Sequence, residues 1–336
     1  MIELKDNELV FRFPEVHQDA VCRVDFQRTL RLPDDNNEYP LPPGLGSFHL
    51  EHIEDHASKF SSKALKRGGV GMPMYQAEAL WINFSSDKSR YPFAIKIAAG
   101  KINAVTGSPW SNNLNREPQD YVVAPDQPWL DGFSVQEGLV RQFVAMPLGE
   151  GYTAEEQITG ESEFGGLQII AYPMKREFYE KLLEKRKNEI NQCFDLPDFM
   201  CQEPTTDFDE MGLAPGGLMQ QEIYEDDYEV DCWDTENFSR TFVHIMNSEQ
   251  WLNLTGQQPP RRPPSAKDYN DAGLPWFDYY SDGKKSLQGS TTLAGLSSIA
   301  AKKIKKGEKP LSDNYSIQPL NIEKLKQKAD SILDGD

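Results

Sequence analysis

The sequence predicts a β-rich α+β fold, with an antiparallel sandwich-like or barrel-like N-terminal part and with helices gathered after residue 173. Three observations favour this class. Short apolar segments of strand length, separated by Gly and Pro, crowd the first half of the chain. Long helical periodicity starts only at Met174. The aromatic content of 11% argues against a disordered chain.

Alternating apolar side chains indicate the first strand, over residues 24–32. Turn residues then interrupt the pattern over 33–46. Further strand-like segments follow, at 79–84, 93–99, 101–105, 140–146, 167–172 and 241–246. The junction Ala99-Gly100-Lys101 predicts a hairpin between two of them. A loop is expected at Ala214-Pro215-Gly216-Gly217.

Helical spacing of apolar residues predicts three helices. A short one covers 50–60, where Leu50, Ile53, Ala57 and Phe60 share a face. The longest covers 174–194, with apolar residues at four-residue intervals and charges opposite. The last covers 320–333, with Asn321 as its N-cap.

These elements divide the chain into four predicted regions. Residues 1–173 form a β-rich domain, and 174–256 form a helix with an acidic segment packed on it. Residues 257–264 (QQPPRRPP) form a Pro-rich linker. Residues 265–336 form a helical, lysine-rich C-terminal region.

Charge is strongly polarised along the chain. Residues 188–239 contain fifteen carboxylates and no Lys or Arg, within a formal net charge of −18. Residues 284–309 contain seven lysines and one acid, Glu308. Opposite charges of this size predict contacts with another protein or between copies of this chain. Binding of the basic segment to an anionic membrane surface is an alternative.

Composition bounds the partners and the compartment. The overall acidity argues against nucleic acid as a partner, because phosphates require a basic surface. No segment reaches the ~20 apolar residues that cross a bilayer, and the N-terminus does not resemble a signal peptide. We therefore expect a cytoplasmic protein. The four cysteines lack a C-x-x-C spacing and are expected to be inert thiols.

Two segments could hold a divalent cation, although no cofactor is firmly predicted. His49, His52 and His56 would cluster on the predicted helix, and His52 and His56 resemble an H-x-x-E-H zinc pair with Asp55 in place of Glu. The histidines could equally border an amphipathic helix. A calcium site is the second possibility, built from four aspartates of an acidic loop that departs from the EF-hand pattern. These are Asp226, Asp227, Asp231 and Asp234.

Residues 110–133 combine aromatic rings with carboxylates, which suits a sugar or another polar, ring-shaped ligand. The alternative is a structural loop with aromatic residues in the core and aspartates at turns. The candidate ligand-binding residues are Trp110, Asp120, Tyr121, Asp126, Trp129 and Asp131.

Several strings are similar to a set of conserved hypothetical microbial proteins that have no assigned activity. They include GVGMPMYQAEALWINF (69–84), PQDYVVAPDQPWLDG (118–132) and VRQFVAMPLGEGYTAEEQITGESEFGGLQ (140–168). The resemblance covers about residues 69–280 and implies that this part forms one recurring unit. It implies no cofactor and no catalytic residue.

Three functions follow, in decreasing order of support. The first is a non-enzymatic binding or self-assembly protein, because the chain contains no G-x-S-x-G, no phosphate-binding loop and no complete metal signature. The second is a carbohydrate-binding or polar small-molecule-binding domain, or an enzyme, that uses residues 110–133. The third is a metal-dependent hydrolase that uses His52 and His56.

Overall fold

The structure is a computed structural model that describes residues 1–86, 89–189, 211–229, 231–259, 261–280 and 284–326. The described residues form nineteen strands, one 3₁₀ helix and seven α-helices. The predicted β-rich α+β class is confirmed.

Two large sheets contain most of the strands. The first sheet has ten strands, seven of which follow the order β1-β2-β3-β8-β14-β16-β4; β5, β12 and β13 pair with β3, β8 and β14. Its strands are β1 (Ile2–Lys5), β2 (Glu8–Arg12), β3 (Val21–Thr29), β4 (Glu38–Tyr39), β5 (Gly44–Ser47), β8 (Ala79–Ser86), β12 (Trp129–Leu130), β13 (Gly132–Gln136), β14 (Leu139–Pro147) and β16 (Met211–Gln220).

The second sheet has seven strands in the order β10-β9-β15-β17-β7-β6, and β11 also pairs with β9. Its strands are β6 (Glu51–His52), β7 (Val70–Pro73), β9 (Phe93–Ala99), β10 (Ile102–Asn103), β11 (Val122–Ala124), β15 (Leu167–Pro173) and β17 (Ser239–Met246). β18 (Trp276–Tyr280) and β19 (Ile322–Lys326) form a separate parallel pair. Antiparallel pairing dominates both large sheets, with parallel pairs between β4 and β16 and between β7 and β17.

The helices are short, and five of the seven described α-helices follow residue 173. They are α1 (Ser62–Arg67), α2 (Ala154–Thr159), α3 (Arg176–Glu189), α4 (Ser248–Thr255), α5 (Ala266–Asp271), α6 (Thr291–Ala294) and α7 (Ile299–Lys305). The 3₁₀ helix covers Ile53–Lys59.

One hydrophobic core joins the two large sheets. Phe26 and Ile82 of the first sheet and Ile97 and Ile169 of the second belong to the same cluster of buried side chains. Trp276 of β18 also belongs to it, so the C-terminal region shares this core.

The strand pairing crosses residue 173, where the sequence suggested a domain boundary. β14 pairs with β16, and β15 pairs with β17, so residues on both sides of that position share both large sheets. The acidic segment is therefore not an accessory layer on a completed N-terminal domain, since its described part supplies β16 to the first sheet.

Three local predictions were wrong. Residues 214–217, expected to be a loop, lie inside β16. The expected helix at 50–60 is instead the short strand β6 followed by the 3₁₀ helix, in which His56 has non-helical dihedral angles. The expected helix at 320–333 begins as the strand β19, and residues 327–336 lie outside the described residues.

Candidate functional site

The principal cavity lies beside β17. It has a volume of about 340 Å³, within the range of small-molecule sites. Lining residues from 59–67 form one wall, and residues 250–254 of α4 form the other. Residues 244–246 of β17 form the floor, and residues 163–166, Leu148 and Met211 close one end. We call this cavity, with these lining residues, the basic cleft.

Local sequence explains why both walls are helical. Ser61 caps α1, because its side chain accepts a hydrogen bond from the backbone N–H of Ala64. Asn247 and Gln250 form a capping box at the start of α4, which ends at Gly256 in the left-handed conformation. Lys59 Nζ donates to backbone carbonyl groups at the end of α4 and so ties the two walls together.

Phe164 is surrounded by cations. Arg67 Cζ lies 4.3 Å from the ring centroid, Lys101 Nζ lies 4.7 Å away, and Lys63 Nζ lies 5.3 Å away. Each such contact contributes about 0.5–1 kcal/mol at an exposed site. Glu155 holds this loop in place, because its carboxylate accepts hydrogen bonds from the backbone N–H groups of Phe164 (3.1 Å) and Gly165 (2.9 Å).

The basic cleft is positively charged in an acidic protein. Lys59, Lys63 and Arg67 line it, and Glu163 is the one carboxylate among its lining residues. With neutral His244, the lining charge is +3 − 1 = +2. A hydrogen bond from Lys63 lowers the pKa of the exposed Glu163 carboxyl, and the charges of Lys63 and Arg67 act in the same direction. Glu163 therefore stays ionised, and the lining keeps an excess of positive charge.

Two further observations show that these cations are not fully compensated. Burial lowers the pKa of Lys101, and the charges of Arg240 and Arg67 lower it further. Arg67 Nη2 is buried and has no hydrogen-bond partner among the described residues. A buried donor without a partner costs about 1–3 kcal/mol. An anion in the cleft would relieve both costs.

The lining favours binding over catalysis. Phe60, Phe164, Met246 and Leu254 supply apolar surface beside the cations. Ser61 is occupied as the cap of α1, and His244 Nε2 lies 3.1 Å from the carbonyl oxygen of Gly68. These contacts do not pair the hydroxyl with the imidazole as a nucleophile and a base would require.

The structure gives the predicted ligand-binding residues separate partners. Trp110 donates its indole N–H to Asn112, at 2.8 Å. Asp120 forms an ion pair with the buried Lys96, at 2.6 Å. Tyr121 donates its hydroxyl to Asp226, at 2.6 Å.

The other three members of that set lie in different surroundings. Asp126 pairs with Lys284 at 2.7 Å. Trp129 packs on Tyr279, with ring centroids 4.6 Å apart. Asp131 is buried and accepts a hydrogen bond from Gln221 at 2.6 Å. None of the six predicted residues lines the basic cleft.

The histidines do not form the predicted helical zinc cluster. His49 Nε2 lies 3.1 Å from Glu51 Oε1, and His56 Nε2 lies 3.9 Å from Glu51 Oε2. His52 is exposed in β6, because the 3₁₀ helix starts one residue later. The helical spacing that would place the three imidazoles on one face is therefore absent from this segment.

The four acidic-loop residues also differ in their roles. Asp226 is buried and accepts hydrogen bonds from Tyr121 and from the indole of Trp233 (2.8 Å). Asp227 lies 3.9 Å from Lys284, Asp231 is exposed, and Asp234 accepts from two backbone N–H groups of the next turn. In the part of the chain that the structure describes, no group of three or more His, Cys, Asp or Glu side chains could hold a metal ion.

Both described cysteines are buried and unreactive. Burial raises the pKa of Cys22 and of Cys232 to about 12, so neither is a thiolate near neutral pH. Cys193 and Cys201 lie outside the described residues.

The basic C-terminal segment makes several contacts within the chain. Lys284 pairs with Asp126, and Lys303 pairs with Glu308 at 2.7 Å. Lys306 lies over the ring of Tyr152, 4.0 Å from its centroid. Of the acidic segment, residues 190–210 and 230 lie outside the described residues. No helix among the described residues is long and apolar enough to cross a membrane.

Sequence reasoning missed the basic cleft because its walls come from distant parts of the chain. One local feature could have indicated it. Lys59, Lys63, Lys66 and Arg67 form a basic run within nine residues of an acidic chain. The positions of Phe164 and His244 beside that run follow only from the packing of the second sheet.

No family model matches this chain, and no curated protein or solved structure matches it either.

Proposed function

We propose that this protein is a non-enzymatic binding protein for a small anionic molecule with an apolar portion, held in the basic cleft. The observation that carries the proposal is the charge of the cleft. Its lining has an excess of two positive charges, whereas the whole chain has a formal net charge of −18. Cations so placed attract a small anion to the cleft, while the rest of the surface repels it.

The lining also specifies the kind of anion. A carboxylate, sulfonate or phosphate would accept hydrogen bonds from Arg67 and Lys63, and its charge would offset the mutual repulsion of the cations around Phe164. Apolar residues on both walls and on the floor would bury a hydrocarbon or aromatic body. A bare inorganic anion would leave that apolar surface unused.

The test uses the fluorescent aryl sulfonate anilinonaphthalenesulfonate as a probe of the native protein. We expect saturable binding to one site, followed by a loss of affinity of about tenfold or more in Arg67→Ala and in Lys63→Ala, because each removes a charge-assisted contact. Lys66→Ala is the matched control, since Lys66 is exposed on the same helix and does not line the cleft.

Two outcomes would overturn the proposal. One is an equal affinity of the probe for Arg67→Ala, Lys63→Ala and Lys66→Ala. The other is an absence of saturable binding by the native protein. Thermal melting of each variant separates a lost contact from a lost fold.

Self-assembly through the acidic segment 188–239 and the basic segment 284–309 stays a prediction. The contacts of Lys284 and Lys303 within the chain reduce the charge available to a partner. Light scattering at low and high salt tests it, and a monomer under both conditions would contradict it. The cytoplasmic location and the lack of a nucleic-acid partner also stay predictions, supported by composition alone.

A further inference from the structure

A row of polar and aromatic side chains covers the outer face of the first sheet. Val24 and Phe26 of β3 point into the core, so Asp25 and Gln27 point to the opposite face. Ile82 of β8 also belongs to the core, which places its neighbours Trp81 and Asn83 on the outer face.

Strand register brings these side chains together. Asp25 is paired with Asn83, which is paired in turn with Trp129 of β12. Gln27 is paired with Trp81 on one side and with Ser47 of β5 on the other. Side chains in directly opposed positions lie about 4.5–5.5 Å apart at their Cβ atoms. The two rows therefore form one continuous surface.

Hydrogen bonds fix the polar members of this surface. Asn83 Nδ2 donates to one oxygen of Asp25 at 2.9 Å, and Gln27 Nε2 donates to the other at 2.7 Å. Gln27 Nε2 also lies 2.8 Å from the hydroxyl oxygen of Ser47. The carboxylate thus orients two planar amides before any ligand arrives, and this reduces the entropy lost on binding.

Aromatic rings border the polar group. The rings of Trp81 and Trp129 meet edge to face with centroids 6.1 Å apart, and Trp129 in turn packs on Tyr279. A Cβ at Gly44 would lie 3.2 Å from Cζ2 of Trp81, so this glycine allows the indole to lie close to β5. All three rings remain half-buried. We call Asp25, Gln27, Ser47, Trp81, Asn83, Trp129 and Tyr279 the tryptophan face.

We propose that the tryptophan face binds a neutral carbohydrate. A sugar ring has an apolar face of C–H groups that packs on an indole, and hydroxyl groups at its edge that pair with planar amides and carboxylates. The charge of Asp25 disfavours an acidic sugar. The surface is independent of the basic cleft, because none of its residues lines that cavity.

The experiment is calorimetric titration of the full chain with three neutral oligosaccharides: maltohexaose, cellohexaose and chitohexaose. We expect at least one to bind with a dissociation constant of about 1 mM or tighter. Trp81→Ala should weaken that binding by about tenfold or more, because the ring is the stacking surface. Trp81→Phe should retain part of the affinity. Arg67→Ala, which alters the basic cleft, should leave it unchanged.

Ser85→Ala is the matched control, because Ser85 follows Asn83 on the same face of β8 without belonging to either row. It should bind like the wild type. If Trp81→Ala does not fold, Asn83→Ala replaces it, with the same expected loss. The proposal is overturned if none of the three oligosaccharides binds at millimolar concentration. It is also overturned if Trp81→Ala and Ser85→Ala bind equally well, a result that would leave this face to a protein partner.

Discussion

At the residue scale, the carboxyl group of Asp131 shows how strongly burial changes a side chain. Asp131 is 3% exposed, and burial raises its pKa from 3.8 to about 8, while a hydrogen bond from Trp129 opposes part of the shift. The sequence places this residue beside Trp129 and Phe133, as a ligand-site residue would be. The structure instead surrounds it with protein, and Gln221 is its neighbour.

The raised pKa of Asp131 predicts a pH-dependent stability. Between pH 3.8 and about 8 the folded protein binds one more proton at this site than the unfolded chain. The stabilisation from this proton is therefore complete below the unfolded pKa and is lost as the pH rises through about 8. The slope is at most about 1.4 kcal/mol per pH unit.

Asp131→Asn should remove this contribution, because the amide does not titrate. We expect urea unfolding between pH 5 and pH 8 to show a flatter decline in the free energy of unfolding for the variant than for the wild type. Asp126→Asn, which alters a partly exposed carboxylate paired with Lys284, is the control. An unchanged slope in Asp131→Asn would contradict the assignment.

The ion pair between Arg28 and Glu78 is also buried. Arg28 Nε donates to Glu78 at 2.8 Å, and the backbone N–H of Tyr75 donates to the same carboxylate at 2.8 Å. Arg28 also donates to the backbone carbonyl of Arg261. This one side chain therefore connects β3, the turn before β8 and the C-terminal region.

Removing one partner of this pair should leave an uncompensated buried charge. We expect Glu78→Met to lower the free energy of unfolding by about 3–5 kcal/mol in urea denaturation. The double variant Arg28→Met with Glu78→Met should be more stable than Glu78→Met alone, because no buried charge remains. A double variant less stable than both single variants would argue against this account.

At the element scale, the cap of α4 links local sequence to the shape of the basic cleft. Asn247 accepts hydrogen bonds from the backbone N–H groups of Glu249 and Gln250. Buried Trp251 and Leu254 then anchor the helix. A helix of eight residues is too short to be stable alone, so the cap and these two contacts position this wall.

Asn247→Ala should therefore cost about 1 kcal/mol of stability and should weaken binding of the aryl sulfonate probe, because the wall frays at its start. Asn247→Ser is the matched control, since its hydroxyl restores the cap on a side chain of similar size to alanine. Calorimetric melting and the probe titration measure the two effects. Equal results for Ala and Ser would show that the cap is unimportant.

Sequence patterns predicted elements well where periodicity was long or strict. The helix expected at 174–194 is α3, Arg176–Glu189, in the described part of that stretch, and the hairpin expected at 99–101 joins β9 to β10. The pattern failed at 50–60, where β6 pairs with β7 and converts the start of the expected helix to extended backbone. It failed again at 214–217, where β14 supplies the hydrogen bonds that make a Gly-Pro-rich segment a strand.

At the scale of the whole molecule, the shared sheets predict one cooperative unit. β16 and β17 complete the two large sheets, and Trp276 and Leu293 of the C-terminal region lie in the main core. Arg28, in the first sheet, contacts the backbone of Arg261 within the predicted linker. The four predicted regions should therefore not unfold separately.

A chain that ends at residue 256 should thus fail to fold stably, because it loses the buried Trp276 and Leu293 and exposes the residues they cover. We expect the full chain to show a single calorimetric transition and the truncated chain to show none. Two resolved transitions in the full chain, with the first matching the truncated chain, would instead support separate domains.

The sequence by itself determined the β-rich class, the longest helix and the polarised charge, because these depend on local periodicity and composition. Only the tertiary structure decided which side chains meet. Lys63, Phe164 and His244 come together in the basic cleft, and Asp25, Trp81 and Trp129 meet on the tryptophan face, through strand pairs between distant segments. Strand pairing is non-local, and a register shift of one residue would turn each side chain to the opposite face, so no single segment contains this information.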